Sequence, residues 1–257
     1  MKSGTPGDVE SLNQNHTGIH MAARTRLALQ VALALATLPA QAADFSFSPA
    51  VVSDYDFRGM SLSARDPAVQ LSFDVAADNG FYGNVWATNT DFGEPDVDTE
   101  IDFAAGWSGG TDDLTWDGGV AVYTYVNGSE FNYPEVWLGL TKGISDAVSL
   151  DGKLWYAWDY AGVQQSAIYL ETNATIGLPW GGLDLALHVG HSSGQYWDST
   201  YGGGYFDYAL GVARSLGRLD VAVTYVNGSD LPDTPGSDLN STDPKVVLSL
   251  STTLPWR

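Results

Sequence analysis

The residues best equipped for chemistry in this chain fall into three groups. His188, His191, Ser192 and Ser193 stand together, and they are the residue types of a serine hydrolase, where an imidazole takes the proton of a nucleophilic hydroxyl. No acidic residue sits at triad spacing beside them, so the pattern gives no catalytic assignment. The run DLPDTPGSDLNSTDP, Asp230–Pro244, supplies oxygen ligands of the kind Ca²⁺ takes. It lacks the D-x-D-x-D-G order of a calcium loop and reads as a solvated outer loop. The third group is the largest: Asp54, Asp56, Asp74, Glu100, Asp102, Asp117, Glu135, Asp151, Asp159, Glu171, Asp184, Asp207 and Asp220, opposed mainly by Arg58 and Lys153. Carboxylates spread through a whole chain suit an electrostatic pathway for ions better than a single reaction centre. No catalytic residue, metal site or cofactor is expected.

What positions these carboxylates is an alternation of period two. LDLALHVG sets Leu183, Leu185, Leu187 and Val189 on one side and Asp184, Ala186, His188 and Gly190 on the other. In AVQLSFDVA, Val69, Leu71, Phe73 and Val75 oppose Gln70, Ser72 and Asp74; in TEIDFAAGW, Ile101, Phe103, Ala105 and Trp107 oppose Glu100 and Asp102. Segments of about ten residues with this pattern, each ended by Gly, Asn, Asp or Pro, read as strands. Twelve are expected, over 45–58, 68–77, 81–91, 99–107, 114–125, 133–141, 148–159, 166–176, 183–193, 205–215, 219–227 and 245–255. Tight connections (DNG at 78–80, LGR at 216–218) alternate with longer polar ones (FGEPDVD at 92–98, SGQYWDSTYGG at 194–204, and 228–244). Short turns at one rim and long loops at the other describe an all-β, antiparallel transmembrane barrel.

Two near-identical heptads, TYVNGSE at Thr124–Glu130 and TYVNGSD at Thr224–Asp230, end the fifth and eleventh of these strands. Asn-Gly adopts the positive φ that ends a strand sharply. The upstream segments Val120–Val122 and Val221–Val223 differ in register by one residue, which argues against a half-barrel duplication. The reading is a repeated rim device, with Tyr125 and Tyr225 at the membrane interface.

Composition agrees with export. The chain carries 31 Asp plus Glu against 11 Lys plus Arg, a net charge of −20, which leaves no basic stripe for nucleic acid or for an anionic membrane surface. It has no cysteine, so disulfides and thiolate chemistry are absent. From Met21, Arg24 and Arg26 precede an apolar run, Leu27–Leu38, and then Ala40-Gln41-Ala42. This is the pattern of a signal peptide over 21–42, with residues 1–20 an upstream extension from a misassigned start and 43–257 the exported barrel.

Alternation alone does not say which face is oily. Aromatic residues near strand ends, Trp107, Tyr123, Tyr125, Tyr133, Trp158, Tyr160, Trp180 and Tyr225, suggest interface girdles. Arg214 is the one basic residue placed on an apolar phase, beside a turn where it can snorkel. The final KVVLSLSTTLPWR repeats apolar residues at alternate positions back from Trp256, similar to the segment that barrel-assembly machinery reads. Pro255 limits the closing strand to Leu254.

SDYDFRGMS (Ser53–Ser61), GFYGNVWATNTDF (Gly80–Phe92), EIDFAAGW (Glu100–Trp107), NYPEVWLGLT (Asn132–Thr141) and GGLDLALHVGH (Gly181–His191) resemble, in order, segments of the TorF family of porins. The resemblance spans nearly the whole exported chain. It implies a barrel in the Gram-negative outer membrane, surrounded by lipid, with channel activity and no catalytic residues. With a carboxylate-lined lumen, the expected solutes are small, polar or cationic. A barrel with a closed lumen and a secreted glycan-binding β-protein are the alternatives.

Overall fold

The computed structural model describes residues 43–229 and 238–256. The expected signal peptide, the upstream extension and much of the 230–244 loop lie outside the described residues.

The described residues form fourteen strands: β1 (Ala43–Val52), β2 (Asp56–Phe57), β3 (Met60–Ser61), β4 (Ala68–Ala77), β5 (Phe81–Asn89), β6 (Thr99–Gly110), β7 (Leu114–Tyr125), β8 (Tyr133–Ser145), β9 (Val148–Ala157), β10 (Ala167–Gly177), β11 (Leu183–Ser193), β12 (Tyr205–Leu216), β13 (Leu219–Ser229) and β14 (Lys245–Ser251). A helix, α1 (Gln195–Tyr201), lies between β11 and β12. Twelve strands pair antiparallel with their sequence neighbours, and β1 meets β14 to close the barrel; β2 and β3 form a separate hairpin. The seam is short. β1 and β14 share only Ala50–Val52 against Ser251–Ser249, followed by an isolated bridge between Phe47 and Leu254.

The burial pattern is inverted relative to a water-soluble barrel. Leu138, Leu140, Val69, Leu170 and Leu248 are more than half exposed on the outside, while Glu100 and Glu135 are 1% exposed within. Backbone groups satisfied by closed pairing, with an apolar outer face, are what hydrocarbon demands of a spanning sheet. Phe45, Phe81, Trp107, Trp116, Trp180 and Trp256 gather at the rim of short turns, and Tyr156, Trp158, Phe206, Tyr208 and Tyr225 at the opposite rim. Amphipathic rings at both rims fit the placement that interface girdles take.

Several expectations are corrected here. The first strand stops at Val52 rather than residue 58, and the chain then turns into the barrel. Tyr123, Tyr125 and Tyr133 point inward, and Tyr160 lies in the loop after β9; none faces lipid. The heptads share no environment: Tyr125 is inward at the end of β7, whereas Tyr225 is outward and 45% exposed within β13. Asn127 turns with φ of 60°, but Asn227 stays in the ladder opposite Tyr208. A one-residue register offset sends every side chain to the other face, and here it does. Because β8 runs on to Ser145, Lys142 joins Arg214 on the outward phase at the rim of short turns. The closing ladder ends at Ser251, with Leu254 hydrogen-bonded to Phe47 beyond it.

Candidate functional site: a hairpin inside an acidic lumen

The segment between β1 and β4 folds back into the barrel because its sequence supplies a turn and a set of charges. Arg58 and Gly59, the two central residues of the β2–β3 hairpin, have φ of 54° and 80°, the positive pair that a tight hairpin of favoured twist requires. A Cβ on Gly59 would stand 2.6 Å from that of Asp207 on the wall, so the tip is seated closely.

Arg58 anchors the tip. Its Nη1 and Nη2 donate to Glu135 Oε1 and Oε2 at 3.0 and 2.6 Å, a two-pronged pair in which both side chains are under 10% exposed. Tyr123 donates its hydroxyl to Glu135 Oε2 at 3.0 Å, and Tyr205 donates to the Arg58 carbonyl at 2.8 Å. The guanidinium also lies 4.3 Å from the ring centre of Tyr169 and 4.7 Å from that of Phe57. Charge-assisted, bidentate and ring-stacked contacts are those for which arginine cannot be exchanged for lysine.

A second clamp holds the hairpin's base. Lys245 Nζ reaches Asp54 at 3.0 Å and Asp56 at 2.9 Å, while Asp54 Oδ1 accepts from Ser61 and Ser63 at 2.6 and 3.0 Å. Burial pushes the Asp56 carboxyl above its ordinary range, against the pull of the Lys245 ammonium.

Beneath the hairpin lies a cavity of about 510 Å³, walled by Arg58, Trp155, Tyr169, Glu171, His188 and Asp207, among others. His188 Nε2 stands 2.7 Å from Asp207 Oδ1, which also accepts from the Tyr169 hydroxyl at 3.0 Å; His188 Nδ1 meets Asn173 Oδ1 at 2.5 Å. A carboxylate therefore does reach His188, from the neighbouring strand rather than along the sequence. The hydrolase pattern nevertheless splits, because His188 and Ser192 point inward while His191 packs on Phe206 outside.

Toward the rim of short turns, Asp117 accepts from Trp137 Nε1 at 3.0 Å and from the Tyr82 hydroxyl, with Lys153 Nζ at 3.6 Å. Trp155 donates to Glu171 at 2.8 Å, Asn173 to Asp151 at 3.0 Å, and Asn84 to Asp74 at 2.7 Å. Asp184 and Asp220 are exposed near that rim. Glu100 and Asp102 are inward on β6, where Glu100 Oε1 accepts from Tyr125 at 3.3 Å. Asp159 sits outside the lumen, in the loop after β9, accepting from the Gln164 amide.

Thus the hairpin draws Asp54, Asp56 and Arg58 into the centre, and the walls bring Glu135, Glu171 and Asp207 to them. Lys245, Tyr169 and His188 complete this cluster and were missing from the expected lumen set. Parity could have found them, because Lys245 alternates with Val246, Leu248 and Leu250, which face out. In the described part of the 230–244 loop, Arg65 lies 3.6 Å from Asp238 and 4.0 Å from Asp243. Those carboxylates are engaged by a cation of the protein itself.

Residues 36–253 match the model of a family described as "Bacterial protein of unknown function (Gcw_chp)", and the chain belongs to that family. No curated protein matches it in sequence. Among solved structures, the KdgM porin superposes with a TM-score of 0.56 at 8% identity, covering 82% of this chain and 99% of that one. The NanC porin gives 0.56 at 10% identity, with 82% and 98% covered. A structure described as KdgM porin in complex with disordered oligogalacturonate gives 0.55 at 8% identity, with 83% and 99% covered. The shared feature is the barrel fold. The matched family is Gcw_chp, so these comparisons give a porin-like barrel without the TorF name.

Proposed function

We propose that the protein is a porin-like channel of the Gram-negative outer membrane, passing small polar or cationic solutes by passive diffusion. The observation that carries this reading is the sealed apolar exterior around an interior whose carboxylates outnumber Arg58, Lys153 and Lys245. Such a lumen raises cation concentration and repels anions. The resemblance to TorF porins points the same way. Oligogalacturonate, the polyanion named with the KdgM structure, is not the cargo that these carboxylates favour.

The pore-lining set runs from Glu171, Asp207 and Arg58 at the constriction through Asp117, Asp151 and Lys153 to Asp184 and Asp220 at the rim. In planar bilayers with a salt gradient, reversal potentials should show cation preference, decreased in Asp117→Asn and increased in Lys153→Gln; anion preference in the wild type would overturn the reading. The alternating Leu248 and Leu250 of β14 form the segment proposed to engage barrel-assembly machinery.

A closed structural barrel is the second reading, and the buried Arg58–Glu135 latch across the lumen favours it. Absence of conductance in refolded protein would select that alternative. The apolar belt weighs against a secreted soluble binder, which would dissolve without detergent.

A further inference from the structure

On the loop side of the β2–β3 hairpin is a second cavity of about 280 Å³, separated from the lumen cavity by Phe57, which lines both. Its principal rings come from two loops and two strand ends: Tyr125, Tyr133, Tyr160, Tyr196, Trp197 and Tyr201. Tyr160 is the hub, with ring centres of Tyr133 and Tyr196 each at 4.8 Å and that of Trp197 at 5.6 Å. The rings are oriented by their packing, and Trp197 on α1 is fixed by Tyr205 at 4.9 Å.

The charged group that lines this cup is acidic, and the nearby Arg58 guanidinium is paired with Glu135. Glu94 lines it, no lysine or arginine is among its described lining residues, and Asn240 is the other non-aromatic polar group. Behind Tyr125, Glu100 Oε1 accepts that ring's hydroxyl at 3.3 Å, which enriches the ring's negative face. Saccharides also stack on such rings and hydrogen-bond to tyrosine hydroxyls, so a sugar is the competing ligand in the test. A cation without hydrogen-bond donors needs only π faces and a negative field. We propose that the cup is an extracellular binding site for small organic cations of the quaternary ammonium class. The site lies on the loop side of the hairpin, so it stands whether or not the barrel conducts.

The test uses the full exported chain refolded in a polyoxyethylene detergent, since phosphocholine detergents carry the ligand's own head group. Tryptophan fluorescence would be titrated with choline, with its uncharged isostere 3,3-dimethyl-1-butanol, and with maltose. Choline should give saturable quenching, with the isostere weaker by about tenfold or more, the scale of one or two cation–π contacts. Tyr201→Leu and Glu94→Gln should each weaken choline by roughly three- to tenfold on the same grounds. Equal binding of the isostere would make the cup a merely apolar pocket, and tighter binding of maltose would make it a sugar site. Either result, or the absence of saturable quenching by choline, overturns the proposal. Should Tyr201→Leu fail to fold, the choline–isostere comparison in the wild-type chain decides alone.

Discussion

Replacing Arg58 by alanine is the sharpest test of the idea that the β2–β3 hairpin sets the conductance of this barrel. The substitution removes both prongs of the ion pair and leaves Glu135, 1% exposed, without its counter-charge. Deleting one partner of a buried pair costs about 3–5 kcal/mol, chiefly because the surviving charge is stranded. The stacking on Phe57 and Tyr169 is lost in the same step and is not counted again. At about 1.4 kcal/mol per decade, the balance between inserted and released hairpin moves by roughly two to nearly four decades. Lys245 still holds Asp54 and Asp56, so the single variant frees the tip while the base stays clamped. Single-channel recordings in planar bilayers should therefore show flicker to a higher conductance level in Arg58→Ala. Arg58→Ala combined with Lys245→Ala should stay at that level. Arg58→Met with Glu135→Met should behave like the wild type, because an apolar pair of similar size can replace a buried ion pair without penalty. Heat-modifiable gel migration checks that each barrel is folded. If folded Arg58→Ala matches the wild type in conductance and open probability, the hairpin does not limit the pore and the constriction lies elsewhere.

Three further predictions concern the barrel that carries this device. Leu138 is 61% exposed near the middle of β8, so Leu138→Arg should lower stability in lipid vesicles by about 2–4 kcal/mol in a urea titration, whereas inward Ser149→Arg should not; equal costs would contradict the assignment of faces. Gly190 lies under the Tyr169 hydroxyl and Asp207 Oδ2, and a Cβ there would collide with both. Gly190→Ala should displace that pair and destabilise the barrel by about 1–3 kcal/mol, read by thermal scanning with near-ultraviolet dichroism. The β1–β14 seam has three paired residues and one bridge, against ten or more pairs at β6–β7 and β12–β13, so amides of residues 47–52 should exchange hydrogen faster than those of β12–β13; uniform protection would show the seam to be no weaker than the rest.

How much of this was legible in the sequence depends on which force wrote each segment. Lipid imposes a strict period of two, so the twelve walls, and the placing of Asp74 and Asp117 on the face opposite to that of Leu138, follow from alternation. The hairpin hid because Ser53–Arg58 also alternates, with Tyr55 and Phe57 against Asp54, Asp56 and Arg58, although no lipid acts on it. Length was the available signal. A strand over 45–58 would exceed the roughly 9–11 residues that a tilted strand needs to span, and Arg58-Gly59 marks where the excess could turn. Tyr125 and Tyr133 illustrate the opposite error. Proximity to a strand end suggested the interface, yet Val120 and Thr124 lie on the outward phase, and parity therefore sends Tyr123 and Tyr125 inward. Where parity and residue preference disagree, parity should rule, since violating it reverses a whole strand while an aromatic ring tolerates either surrounding. The Arg58–Glu135, Lys245–Asp54 and His188–Asp207 contacts lay beyond any such rule. The first two join residues 77 and 191 positions apart, which only closure of the sheet around the hairpin brings within reach, and the third depends on the β11–β12 register across a loop of eleven residues.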